Sequence, residues 1–427
     1  MIVNKNCLEE CSMLLEFSCS NHKSIRKEVT FSMLAGKDNT HEERTRSFES
    51  FKVLKSAVVY GANGSGKSNL INAVAFVKNM VSNSINHQPG EGILQVPHKL
   101  SGTGTDSVYK LQFVKDGNRY AYSFTIKNLL VTEEYLYYFP NGRQTKIFER
   151  NENGFVTGSK FKGRLSNCNE VLKPNRLMLS CAANFSNVKE IEEAFRFFSE
   201  DLVIYNSGNQ ENWMNYSLRR IHDDLEIKEV VLTFFRSLGV ALKDIKVSID
   251  KKTITPAELP PFLSDEIKNK LLQSEMDSLS ASVVYDGFET DLINEESTGI
   301  QKLFSFLCPL LDIIFKGKVL ICDELETNLH EALVYGLVDV FSQLETREFS
   351  QMIFTTHDTS LLNLDLFRRD QIWFTELSKE DRSTELYSLA EIKNVRKDDH
   401  VGKGYISGKY GAIPMLNIDF ANIISKM

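Results

Sequence analysis

The run Val58-Val59-Tyr60-Gly61-Ala62-Asn63-Gly64-Ser65-Gly66-Lys67-Ser68-Asn69-Leu70 constrains this chain more than any other stretch. A β-type apolar segment leads into G-x-x-x-x-G-K-S, and an amphipathic segment follows from Lys67 to about Met80. Strand, loop and helix therefore fall in the order that a phosphate-binding loop requires. Gly61, Gly64 and Gly66 let the backbone curl around a polyphosphate with no Cβ in the way, while amide N–H groups and the helix N-terminus near Lys67 supply positive potential. Asn63, Gly64, Ser65, Gly66, Lys67, Ser68 and Asn69 are the candidate nucleotide-binding residues. Lys67 would reach the β- and γ-phosphates, and the Ser68 hydroxyl would ligate Mg²⁺.

A chain of 427 residues exceeds the size at which one core keeps growing, so two or three lobes are expected. Its formal charge of −7 rules out a uniformly basic, nucleic-acid-binding surface but leaves room for a local patch. Seven scattered cysteines without a C-x-x-C pair read as core thiols of a reducing compartment, Cys308 and Cys322 most clearly because they sit in apolar runs. Cys7, Cys11 and His22 lack a second pair to complete a metal site, and no structural zinc is expected. The amino-terminal region has Glu9, Glu10 and Glu16 where a secretory signal would be basic and then apolar. The apolar run Leu303 to Phe315 falls short of the roughly 20 residues of a membrane span and contains Asp312. A cytoplasmic protein with no membrane partner is expected.

Along the chain, Met13–Ser18 and Val29–Met33 read as strands around the polar segment Ser20–Ile25, which would bring Lys23 and Ser24 near a bound nucleotide. Residues 37–51 read as a solvated loop, and Ser82–Gly104 as a long irregular connection in which Gln88 or Gln95 is a candidate sensor of Mg²⁺ or the γ-phosphate. Between Val108 and Phe161, short β-rich runs are punctuated by Asp116-Gly117, Asn141-Gly142 and Asn153-Gly154, which predicts an antiparallel patch of about four strands. Strand alternation accounts for Tyr135, Tyr137 and Tyr138 without a base-stacking role. Helical periodicity then runs through Val188–Phe198, Trp213–Leu238 and Ser264–Leu279, broken at Pro256, Pro260 and Pro261. No heptad pattern is long enough for a coiled-coil arm. Lys160, Lys162, Arg164, Lys173 and Arg176 read as a solvated face.

Three later motifs complete the expected site. Ser297-Thr298-Gly299 opens an apolar helix, a second anion-binding N-terminus. Val319–Cys322 is a buried-type strand ending in Asp323 and Glu324, which places Asp323 on a metal ion and leaves Glu324 to orient or deprotonate water. A further strand, Gln351–Thr356, ends in His357, a candidate γ-phosphate contact.

The order of these parts resembles the ABC class of ATPases, with Walker A, signature, Walker B and switch histidine. Glu326-Thr327-Asn328-Leu329-His330 looks like the D-loop in the form common in relatives of RecF and the OLD nucleases, and Asn21–Ile25 is similar to a stretch of SMC-like and RecF-like members. The end of the chain, Arg396–Asp399 with Gly404–Pro414, resembles the closing motif of stand-alone bacterial ATPases of anti-phage defence loci, including the RloA/AbiLi type and the ATPase subunit of PARIS systems.

The resemblance implies an α/β fold: an ABC-type P-loop ATPase head with an antiparallel β subdomain and a compact helical lobe inserted between Walker A and signature. The domains would be residues 1–185, 186–285 and 286–427. It implies ATP and Mg²⁺ as cofactors, with Lys67 and Ser68 on phosphate and metal, Asp323 supporting the metal, Glu324 as catalytic base and His357 sensing the γ-phosphate. It also implies an ATP-dependent head-to-head dimer in which Ser297 and Gly299 act in trans. Glu296 before the serine and Thr298 for the first glycine depart from the family signature, which implies slow or tightly regulated closure. The expected output belongs to a partner effector, a nuclease encoded nearby, released by a phage-encoded trigger, with nucleic acid as a further partner. Rival expectations are a RecF/SMC-like DNA-repair ATPase, a transport ATPase and a non-catalytic ATP-gated scaffold.

Overall fold

A computed structural model describes residues 11–102, 104–253, 275–343, 348–396 and 399–413, with isolated positions between 255 and 272. Two compact units divide the chain, one of Met1–Tyr205 with Ile313–Met427, the other of Asn206–Asp312. The first unit opens with β1 (Ser12–Ser20) and β2 (Val29–Ser32), pairs β3 (Thr45–Phe48) with β4 (Phe51–Leu54), and enters β5 (Ser56–Gly61). Helix α1 (Lys67–Asn83) follows, then β6 (Ser107–Lys115), β7 (Asn118–Lys127), β8 (Leu130–Tyr138), β9 (Thr145–Asn151), β10 (Gly154–Thr157) and β11 (Leu202–Tyr205). The second unit holds β12 (Asp244–Thr253), β13 (Glu275–Val284) and β14 (Glu289–Asp291). The chain returns to the first with β15 (Val319–Cys322), β16 (Gln351–Thr355), β17 (Ile372–Leu377) and β18 (Thr384–Ser388).

Two large sheets build the first unit, beside the small β3-β4 pair. The sheet that carries the glycine loop has the order β11-β15-β16-β5-β17-β18, parallel except at its β18 edge. Every residue of β5, β15 and β16 is buried, as expected of strands that are apolar on both faces. The other sheet is antiparallel, ordered β10-β9-β8-β7-β6-β1-β2. Of its seven strands, five lie where about four were expected, and two more join because β1 pairs with β6 and carries β2 with it. Asp116-Gly117 makes the expected two-residue hairpin, both residues at positive φ (49° and 74°). Asn128-Leu129 makes a second such hairpin (φ 49° and 65°) that the sequence does not announce, since a leucine stands where glycine is usual. Asn141-Gly142 instead lies within the longer connection between paired Tyr138 and Thr145.

The core lies between these layers. Phe113 of β6 stacks on Phe197 at 4.2 Å and meets Phe198 edge-on at 5.2 Å. Glu134, buried on β8, accepts hydrogen bonds from Tyr122, from Arg150 and from the Met178 and Leu179 amides that open the Met178–Phe185 helix. The carboxylate thereby satisfies helix-end donors that the sequence leaves without an N-cap side chain.

In the second unit, α2 (Gln210–Asp223) and α3 (Leu225–Ser237) follow the expected helical periodicity, separated at Asp224, whose side chain caps α3. The helix expected over Ser264–Leu279 is corrected at its end: the described positions Lys268 and Leu272 are helical, with the Lys268 amide on the Ser264 carbonyl at 2.9 Å, whereas Glu275–Val284 is β13, which pairs with β12 and β14 in a three-stranded antiparallel sheet. Its Ser-Leu-Ser-Ala-Ser-Val-Val segment alternates with period two, and pairing along all ten residues of β12 outweighs a weak helical pattern. Pro256, Pro260 and Pro261 lie outside the described residues. The loop expected over residues 37–51 is corrected likewise, since it contains β3. Helix α4 (Thr298–Phe315) stacks Phe304 on Phe235 and Phe306 on Trp213. Among the described residues it is the helix long and apolar enough to cross a membrane, yet 61% of it is buried within the protein.

Candidate functional site

Parallel pairing brings three carboxyl ends to one edge of the sheet. Cys322 of β15 stands beside Phe354 of β16, and Thr355 of β16 beside Val59 of β5. Asp323-Glu324, His357 and the glycine loop therefore leave the sheet side by side, where ligands of open α/β sheets bind. Lys67 is the meeting point. It is 5% exposed, and its ammonium donates to the carbonyls of Gly61 at 2.8 Å and Ala62 at 3.3 Å. Burial lowers its pKa to about 8 against the opposing pull of Asp323, Glu324 and Glu326. His357 is exposed, and its pKa falls through desolvation and then through the nearby Lys67 charge. Lys67, Asp323, Glu324, Glu326 and His357 thus act on one another electrostatically.

The loop is built to keep its backbone open. Gly64 and Gly66 have φ of 78° and 110°, which side-chain-bearing residues rarely adopt. A Cβ on Gly64 would meet nothing within 4 Å, so that face is left clear, whereas one on Gly66 would come within 2.0 Å of Thr384 Oγ1. Ser65 shares a 2.6 Å hydrogen bond with Thr375 and its carbonyl accepts from Thr384 at 2.9 Å. Asn69 donates to Ser24 Oγ at 2.6 Å, and Ser24 is bonded to Thr384 at 2.7 Å. The amino-terminal loop therefore reaches the start of α1 through Ser24. Lys23 sits at φ 49° with its amide on the Val96 carbonyl. Gln95 donates to Asn21 O and to Ser107 Oγ, both at 2.8 Å, which ties it to that same loop; Gln88 is exposed and pairs locally with Glu91.

The acids are braced by β16. Thr355 Oγ1 donates to Asp323 Oδ1 at 2.6 Å and accepts the Glu324 amide at 2.8 Å. Glu326 Oε1 accepts the His357 amide at 2.6 Å, and its Oε2 is buried without a hydrogen-bond partner. Thr355, Thr375 and Thr384 escape a sequence reading because no spacing marks them, and Glu326, which opens the stretch that resembles a D-loop, shows its bond to His357 only when strands distant in sequence lie side by side. Ser297 and Gly299 belong to the second unit, where Ser297 Oγ accepts the Ile300 amide at 3.3 Å and Glu296 accepts from Tyr285 and Thr290.

These residues fit Mg²⁺ and ATP. The donor set is hard oxygen, with the Ser68 hydroxyl and the Asp323 carboxylate, and among the described residues no cluster of three or more His, Cys, Asp or Glu forms a closed metal cage. Magnesium suits such a site because it retains water and takes one or two protein ligands together with phosphate. The other candidate ligands resolve differently: Cys11 is a buried thiol pushed up to about 11 by burial, and His22 bonds to the Tyr109 hydroxyl at 2.8 Å. Cys7 lies outside the described residues. Of the basic set, Lys160, Arg164, Lys173 and Arg176 hydrogen-bond to Tyr138 or to backbone carbonyls of their own unit. The carboxy-terminal segment packs behind the loop: Tyr405 meets Tyr60 at 5.9 Å, and Tyr60 donates to Asp358 O just after His357. Lys397, Asp398 and Pro414 of that segment lie outside the described residues.

Among solved structures, the chain is similar to an SMC head bound to the C-winged helix domain of ScpA (14% identity, 88% of this chain and 97% of that one, TM-score 0.42). It is also similar to an SMC head domain from Thermotoga maritima (11%, 88% and 98%, TM-score 0.39) and to RecF with ATP (13%, 88% and 96%, TM-score 0.35). No curated protein matches the chain. A family described as "AAA domain, putative AbiEii toxin, Type IV TA system" matches residues 56–159 and 250–363, which is just over half of the sequence and includes the glycine loop, most of the antiparallel sheet and both braced strands β15 and β16. Because that match covers more than half of the sequence, the chain belongs to this AAA family.

Proposed function

We propose that the protein is a Mg²⁺-dependent ATPase that works as a nucleotide-gated switch. The observation that carries this is the convergence of Lys67, Asp323, Glu324 and His357 at one edge of the parallel sheet. Lys67 holds the β- and γ-phosphates, Asn63 to Gly66 present amide donors, and Ser68 and Asp323 hold the metal. Mg²⁺ on the phosphates supplies the charge neutralisation that phosphoryl transfer needs. Glu324, exposed at the mouth of the site, orients and deprotonates water, and His357 reads the γ-phosphate. Ser24 links the amino-terminal loop to α1, so that loop responds to an occupied site.

Two such heads pair around ATP, each completed by Ser297 and Gly299 of the other, and the γ-phosphate sets which state dominates. We place the switch in the cytoplasm, in bacterial anti-phage defence of the abortive-infection kind. A phage trigger is its input, and an effector, a nuclease encoded nearby, is its output. The toxin–antitoxin wording of the family description supports this direction.

Purified protein with and without its neighbouring gene products tests the reading through ATP turnover and mass. Glu324→Gln is expected to cut turnover by at least about 100-fold and to trap an ATP-dependent oligomer that retains the neighbour. Normal turnover in Glu324→Gln removes the assignment of the base, and turnover stimulated by DNA alone replaces the defence switch with a repair ATPase.

A further inference from the structure

We propose that Thr355 is a positioning residue that sets both acids of the hydrolytic edge through one hydroxyl. The inference rests on the nucleotide-site reading above and concerns what makes that site competent. Thr355 is fully buried at the end of β16. Its hydroxyl donates to Asp323 Oδ1 at 2.6 Å and accepts from the Glu324 amide at 2.8 Å, and its carbonyl accepts from the Leu325 amide at 3.2 Å. Three consecutive residues leaving β15 are thereby tied to one residue of the neighbouring strand.

The arrangement has a physical reason. Glu324 adopts φ +51°, a left-handed conformation that is strained for a residue with a side chain and that persists only where its surroundings impose it. The hydrogen bond from its amide to Thr355 Oγ1 is such a constraint. It turns the chain sharply after Asp323, so that two adjacent acids stop alternating across the strand and both remain on the phosphate edge. The second bond of the same hydroxyl occupies one oxygen of Asp323 and fixes the carboxylate rotamer, as outer partners of metal ligands do. A hydroxyl that donates to one residue and accepts from the next cannot be replaced by a methyl group. Valine keeps the volume and loses both bonds.

The test reads Mg²⁺-dependent binding of a fluorescent ATP analogue by the full chain, which needs no turnover. For Thr355→Val, the Mg²⁺ concentration giving half-maximal binding is expected to rise about 10- to 100-fold, while Mg²⁺-free binding, held by Lys67 and the loop amides, stays within about threefold of wild type. Thr355→Ser restores both bonds and is expected to bring the Mg²⁺ dependence back within about threefold. Circular dichroism establishes that each variant is folded. Should the valine variant fail to fold, Thr355→Cys, with its weak S–H donor, takes its place and must shift the Mg²⁺ dependence in the same direction. Wild-type Mg²⁺ dependence in a folded Val or Cys variant overturns the proposal, as does a serine variant impaired as badly as valine. Lys67→Ala separates the two levels of inference: if it binds nucleotide as well as wild type, the nucleotide-site reading fails and the role of Thr355 with it.

Discussion

Lys67 is the residue on which the site's charge balance turns. Burial favours its neutral form and lowers its pKa from 10.5 to about 8, while Asp323, Glu324 and Glu326 pull the other way. Its charged form, the one the proposed function puts on phosphate, therefore dominates below pH 8 and fades above it. Affinity for an ATP analogue at saturating Mg²⁺ is expected to hold between pH 6.5 and 7.5 and to drop by about tenfold or more toward pH 9.5, measured by fluorescence titration. A flat profile across that range would mean that Lys67 remains charged throughout. Folding stability runs oppositely, because the unfolded chain binds the Lys67 proton more tightly than the folded one, so this group adds stability as pH rises from about 8 toward 10.5. At this scale the sequence spoke clearly: Lys67, Asp323, Glu324 and His357 all stood out from their neighbours in sequence. Thr355 did not, because what marks it is a hydrogen bond across 32 residues, and the D-loop resemblance that contains Glu326 did not announce its bond to His357 across 31.

Among the elements, turns and buried strands were the most legible, because each follows from a few adjacent residues. The hairpin at Asp116-Gly117 is one case, and it yields a prediction. Gly117 sits at φ 74°, so Gly117→Ala forces a Cβ into the left-handed region at a cost of about 1–2 kcal/mol, to be read as a loss of stability in urea unfolding. No loss would mean that the turn relaxes to another type. The Asn128-Leu129 hairpin was illegible because Leu129 is held at φ 65° by long-range structure, its carbonyl accepting from Ile93 and its side chain lying against Gly92. The strand β13 was missed for a related reason. Its residues suit helix or strand almost equally, and the partner strand β12 made the choice.

For the molecule as a whole, the two large sheets of the first unit are joined by a buried polar link at Gln351. Gln351, fully buried on β16, accepts from the Leu14 amide at 2.6 Å and donates to the carbonyls of Leu14 at 3.2 Å and Leu54 at 3.0 Å. One side chain thus satisfies backbone groups of β1 and β4 that their own ladders leave open. Gln351→Leu, close in volume, should destabilise by about 3 kcal/mol, since it strands buried polar groups at about 1–3 kcal/mol each. Chemical denaturation measures it, and a change under 1 kcal/mol would show that water or a backbone shift takes over. The sequence by itself determined the phosphate loop, the acid-tipped and histidine-tipped strands and the α/β class, because glycine spacing, apolar runs and terminal charges act locally. Only the tertiary structure decided that β1 and β2 extend the antiparallel sheet and that Thr355 holds both acids. Strand neighbours are chosen by the packing of whole faces, and no short stretch of residues encodes that choice.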